Sequence, residues 1–143
     1  MAKNNNLSQW SLTLLRVVLG VIFLLHGYVK LFVPGAFKAT VTFFATLGLP
    51  VPVYSALVVS VAEFAGGILL ILGLLTRWTS VVLIIEMLVA FFTVHLKQGF
   101  FIMPPAYGYE FVLLILAGLV VVLANGAGAF SLSKNYFKSR QLQ

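Results

Sequence analysis

Four continuous apolar runs, Leu12–Phe32, Val51–Leu75, Thr79–Leu96 and roughly Phe111–Phe130, take up most of this 143-residue chain. Each is long enough to span a bilayer as a helix, which takes about 20 mostly apolar residues. In hydrocarbon every backbone N–H and C=O must be paired within the protein, so only helices and closed barrels cross. A barrel strand alternates apolar and polar residues over about ten positions, and these runs do not alternate. The chain therefore reads as an all-α integral membrane four-helix bundle, one domain over residues 1–143. Charged residues make up 8% of it, against about 25% in soluble domains, so little is left for a separate soluble unit. The first run is too long for a signal-peptide core, contains Arg16 and precedes no A-x-A-like cleavage site, so it is expected to be retained as a helix.

The chain has no cysteine. That excludes disulfides, thiol redox chemistry and Cys-held zinc or iron–sulfur sites. Its net charge of +6 is not read as a nucleic-acid footprint, because the basic residues are dispersed and flank the apolar runs. There they act as topology signals and as anchors to membrane lipids. With four spans both termini lie on one side. That side holds Lys3, Arg77, Lys134, Lys138 and Arg140, with Arg16 just inside the first run; the other holds Lys30, Lys38 and Lys97. The positive-inside rule then places both termini in the cytoplasm.

The links carry structure of their own. In "VPGAFKATVTFFATLGLPVP", Phe37, Val41, Phe44 and Leu47 recur near helical spacing between Pro-Gly and Gly/Pro boundaries, which predicts a short amphipathic interfacial helix. The link "TRW" is tight and predicts antiparallel neighbours. The link "KQGFFIMPPAYGY" is aromatic with two adjacent prolines, and is expected to fold back on the outer mouth of the bundle. Ala62, Gly66 and Gly73 share a face of the second run, with Gly67 one turn after Glu63; in the first run Arg16, Gly20, Phe23, Gly27 and Lys30 form a stripe. Small residues let helices approach closely in lipid, and packing these faces together would bury Glu63.

Glu63 is one of only three acids, with Glu86 and Glu110, and there is no aspartate. Acids kept for solubility would sit in the tails, yet all three lie in or beside apolar runs. Glu63 is 12 residues from either end of its run, hence near the midplane, where an intramembrane acid marks a cavity, a proton site or a partner. Glu86 and Arg16 enter from the same side at similar depth and form a candidate structural ion pair. His26, Lys30, His95 and Glu110 collect at the outer ends as a candidate polar pocket. Glu86 and His95 are nine residues apart, about 900° of turn, so an unbroken helix points them to opposite faces. Two polar layers follow, an inner one with Arg16 and Glu86 and an outer one with His26, His95 and Glu110. Haem between His26 and His95 has only those two histidines in its favour. No metal-ligand cluster, phosphate loop or nucleophile elbow appears.

The pieces "LLRVVLGVIFLLHGYVKLF", "LGLPVP", "VAEFAGGILLILGLLTR", "EMLVAFFTVHLKQGFF", "GYE" and "NGAGAFSLS", in that order and spacing, resemble the DoxX-like membrane proteins from Arg16 to Ser133. Arg16, His26, Gly27, Lys30, Glu63, Gly66, Thr76, Arg77, Glu86, His95 and Glu110 fall on positions characteristic of that family. The chain departs from it at "GAGAFSLS", where Ser133 stands in place of the family's usual Asp. The resemblance implies a bundle in the cytoplasmic membrane of a bacterium or archaeon, and quinone-related redox work.

The leading functional reading is a membrane subunit that binds a quinone or similar amphiphile and supports redox or proton transfer by a partner protein. Glu63, Glu110 and His95 would contact the head group or move protons, Glu63 being the candidate proton-transfer residue. His26 and Lys30 would line the outer mouth, while Arg16 and Glu86 hold the bundle together. The chain has no evident electron carrier of its own, so electrons would come from a bound cofactor or a partner. Transport or sequestration of a small hydrophobic molecule or lipid, and a structural subunit without its own activity, stay open as alternatives, as does homo-oligomerisation.

Overall fold

The structure, a computed structural model, describes residues 3–132. Ser133 and the basic residues Lys134, Lys138 and Arg140, which carry part of the topology count, lie outside the described residues. Within them, helix α1 (Lys3–Phe32) is followed by a short α2 (Ala36–Thr46), then α3 (Pro52–Leu72) and α4 (Thr76–Ala90). The α4 axis continues through a π-helical turn, Phe91–His95, and a 3-10 turn, Leu96–Gln98. A two-stranded antiparallel hairpin, β1 (Ile102–Met103) and β2 (Ala106–Tyr107), leads into α5 (Glu110–Asn125). α1 packs on α3 and α5, and α4 packs on the same two, which closes a four-helix ring. The expected four-helix membrane bundle is the fold. α1, α3 and α4 with its extension are long and apolar enough to cross a membrane, and α5 is a shorter apolar helix.

The ends of the helices differ from the apolar runs for identifiable reasons. α1 begins well before Leu12 because its polar first turns have a tertiary partner. The backbone N–H of Ala129 donates to Gln9 O and Thr13 Oγ1, and Trp10 stacks on Phe130 with ring centroids 5.4 Å apart. Hydropathy cannot register such a contact. α3 ends at Leu72 because Gly73 takes φ +70° and donates back into the last turn, the left-handed C-terminal stop that glycine accommodates. The tight link is therefore Gly73–Leu75, and Thr76, Arg77 and Trp78 already belong to α4. Pro52 opens α3, where its missing N–H would have had no helical partner.

Glycines set how closely α1 and α3 approach. A Cβ on Gly27 would overlap the backbone of Phe64, and one on Gly67 would overlap the backbone of Leu24. The two helices therefore run antiparallel at near backbone contact. With Gly27 opposite Phe64, the last turn of α1 lies level with about Ser60, and α3 runs on for roughly two turns beyond it. α2 packs against both helices where α1 stops short.

The bundle is packed unequally along its length. Leu12, Leu19, Phe23, Leu70, Leu83, Ile115, Leu119 and Val122 form the buried core, of which Phe23 and Ile115 also border the cavity. Towards α2 and the hairpin the helices leave a cavity between them.

Candidate functional site

The cavity has a volume of about 640 Å³ and is lined mainly by apolar side chains of all four long helices, α2 and the hairpin. Polar groups on its wall include His26, Lys30, Glu63, Glu86 and His95. Glu63 is buried at 4% exposure. The Lys30 ammonium donates to both of its carboxylate oxygens, Nζ–Oε1 2.6 Å and Nζ–Oε2 2.5 Å. The Lys30 side chain is 23% exposed, so the pair sits at the wall rather than sealed in the core. Charge-assisted bonds of this kind are about twice as strong as neutral ones, and the pairing satisfies a carboxylate that would be costly to bury alone.

Glu86 is the third member. Its carboxyl lies beside that of Glu63, with Lys30 also within electrostatic range. Its Oε2 is sealed from solvent with no hydrogen-bond partner. One ammonium thus stands with two carboxyl groups, and one proton on either carboxyl would balance their charge.

The expected Arg16–Glu86 ion pair does not form. Arg16 is 1% exposed and its Nη2 donates to the carbonyl of Phe130 at 2.6 Å. Its guanidinium fills the space beside Gly73, where a Cβ would overlap Nη1, and Ser131 Oγ donates to Gly73 O at 2.8 Å. Arg16 therefore braces the end of α3 against the segment after α5. A cation at a helix C-terminus is favoured by the aligned backbone carbonyls. Similar depth was not enough to pair it with Glu86, because the two side chains leave their helices towards different neighbours.

Lys30 was expected at the outer mouth and Glu63 near the midplane, two levels apart. They meet because α1 stops two turns short of the start of α3. Glu86 and His95, expected on opposite faces, line the same cavity. The π-helical turn at Phe91–His95 interrupts the regular α-helical rotation, and such turns recur at functional sites. Glu86 of the expected inner layer thus shares the cavity with His26 and His95 of the outer one, while Arg16 and Glu110 lie apart from it.

His95 is half-buried, and its Nδ1 lies 2.7 Å from the Tyr107 carbonyl. A carbonyl only accepts, so Nδ1 carries the hydrogen and the neutral ring keeps Nε2 as an acceptor. His26 lines the cavity from α1 and is exposed. Glu110 is not on the cavity wall. Its Oε1 accepts from Ile102 N at 2.7 Å, and Gln98 Oε1 accepts from Tyr107 N at 2.6 Å. These two side chains fasten the hairpin, which places Ile102, Tyr107 and Gly108 over the cavity. The aromatic link does fold back, as a hairpin that the sequence did not reveal.

Comparison with known proteins gives a consistent result. The sequence model of the DoxX family matches residues 11–96. An uncharacterized protein of Haemophilus influenzae is 36% identical over 139 residues, covering 94% of this chain and 98% of its own length. A putative oxidoreductase of Bacillus subtilis, CatD, is 34% identical over 128 residues, covering 90% and 88%. An uncharacterized membrane protein of Mycobacterium tuberculosis is 30% identical over 138 residues, covering 90% and 82%. No solved structure matches the chain.

Proposed function

The chain belongs to the DoxX family, and on that premise we propose that it is a membrane subunit whose cavity binds an amphiphile with a quinone-type head group and supports redox or proton transfer by a partner protein. The observation that carries this reading is the Lys30–Glu63–Glu86 cluster at the wall of an apolar cavity of about 640 Å³. Small-molecule sites have volumes of about 300–1,000 Å³, mostly apolar walls and a few convergent polar groups. An apolar tail would lie along Phe43 and Phe44 of α2 and Leu47 just after it, and the head group would meet Glu86 and His95. The name of the Bacillus subtilis relative, a putative oxidoreductase, points the same way.

In this reading Lys30 holds Glu63 in place, and the Glu63–Glu86 pair holds one proton that can pass to or from the bound head group. Intramembrane carboxyls facing a cavity typically serve such relays. Electrons come from a bound cofactor or from the partner, since the chain contains no cysteine to hold an iron–sulfur centre. The site lies in the cytoplasmic membrane of a bacterium or archaeon, with both termini inside.

The test is to purify the protein in a mild detergent, extract it with organic solvent, and identify what co-purifies by mass spectrometry and redox difference spectra. A stoichiometric quinone that is lost in Glu63→Leu/Glu86→Leu supports the reading. Bulk phospholipid alone, with no saturable binding of added decyl-benzoquinone or its hydroquinone, overturns it.

A further inference from the structure

We infer that the cavity selects a head group that donates hydrogen bonds, so that it binds a hydroquinone in preference to the corresponding quinone. This rests on the reading of the cavity as a quinone-type site and adds the redox state that it favours.

The argument is a census of donors and acceptors on the cavity wall. Thr40, Ser55 and Thr93 all line it, and each has already committed its hydroxyl hydrogen to a backbone carbonyl. Thr40 donates to Ala36 O at 2.9 Å, Ser55 to Pro50 O at 2.6 Å and Thr93 to Val89 O at 2.7 Å. A hydroxyl has a single hydrogen to give, so these three offer a ligand only lone pairs. His95 has placed its Nδ1 hydrogen on Tyr107 O, which in the neutral ring leaves Nε2 as an acceptor. The carboxyl groups of Glu63 and Glu86 also line the cavity.

The donors are few or already engaged. Lys30 gives two of its three N–H bonds to Glu63, and Glu86 stands next to them. His26 and Tyr107 keep uncommitted donors among the described residues, and both are exposed. A quinone carbonyl can only accept, so it depends on the remaining N–H of Lys30 or on the exposed His26 and Tyr107. A hydroquinone brings two O–H donors to a wall whose hydroxyls and His95 have already given their hydrogens to the backbone. Leaving a buried acceptor unpaired is unfavourable, whereas pairing it with a hydroxyl is not.

The test uses the full chain in lipid nanodiscs under anaerobic conditions and three ligands of one shape: a decyl-benzoquinone, its hydroquinone, and the dimethyl ether of that hydroquinone. The expected result is saturable binding of the hydroquinone about tenfold or more tighter than either of the others. His95→Phe and Thr93→Val are each expected to narrow that ratio by weakening the hydroquinone more than the quinone. Equal binding of quinone and hydroquinone, or ether binding as tight as hydroquinone, overturns the inference and leaves the site standing. Failure of all three to bind overturns the inference together with the proposed function.

Discussion

Lys30 and Glu63 are 33 positions apart in sequence and meet across α1 and α3 in a two-pronged ion pair. Of the two groups, the carboxylate is the more deeply buried. Removing one partner strands the other, and that costs about 3 kcal/mol or more for a buried pair. Lys30→Met and Glu63→Leu are each expected to lower stability by roughly that amount, measured by thermal unfolding in detergent. The double variant is expected to recover a large part of the loss, since it leaves no uncompensated charge.

A second double-mutant cycle separates the two polar regions. Arg16 binds Phe130 O and packs beside Gly73, while Glu86 belongs with Glu63. Arg16→Ala and Glu86→Ala are therefore expected to be additive within about 0.5 kcal/mol. The Lys30–Glu63 cycle should show a much larger coupling. Rescue of Arg16→Ala by Glu86→Ala would instead restore the ion pair that depth along the sequence suggests.

The glycines divide by what a methyl group would meet. On Gly27 it would overlap the Phe64 backbone, which cannot yield without separating α1 from α3. On Gly66 it would approach side-chain methyls of Leu83 and Thr79 at 3.3 Å. Gly27→Ala is expected to destabilise at the upper end of the 1–3 kcal/mol that over-packing costs, or beyond it. It should also weaken ligand binding by pulling Lys30 away from Glu63. Gly66→Ala is expected to stay below about 1 kcal/mol. Unfolding midpoints of the two variants check this ordering.

Glu110 fastens the hairpin through Ile102 N and does not line the cavity. Glu110→Ala is expected to raise amide hydrogen exchange at Ile102 and its neighbours. Exchange in α1 and α3 should stay unchanged. Protection lost throughout the bundle would give Glu110 a role in the core that its contacts do not suggest.

How much of this was legible in the sequence follows from what each signal measures. Apolar runs and link chemistry report transfer into lipid and local backbone preference, so the four helices, the amphipathic α2 and the returning aromatic link could be read. Counting residues from the end of each run assumed that α1 and α3 finish level. The Gly27–Phe64 contact sets a different register and brings Lys30 down to Glu63. The signal was present in the glycine stripe, because the same small residues that permit close packing also fix which residues lie opposite. The π-helical turn over "FFTVH" had no such signal: it contains neither glycine nor proline, and it is what lets Glu86 and His95 share one cavity. The first turns of α1 were equally hidden, since their partners are Ala129 and Phe130 at the other end of the chain.

The most direct measurement is photolabelling in nanodiscs with an azido-benzoquinone carrying a decyl tail, followed by peptide mapping. The expected result is saturable labelling of cavity residues such as Phe44, Ile85 and Met87, abolished by excess unlabelled decyl-hydroquinone and lost in Glu63→Leu/Glu86→Leu. Labelling spread over the outer faces at Trp78 and Leu114, without competition, would contradict a ligand site in this cavity.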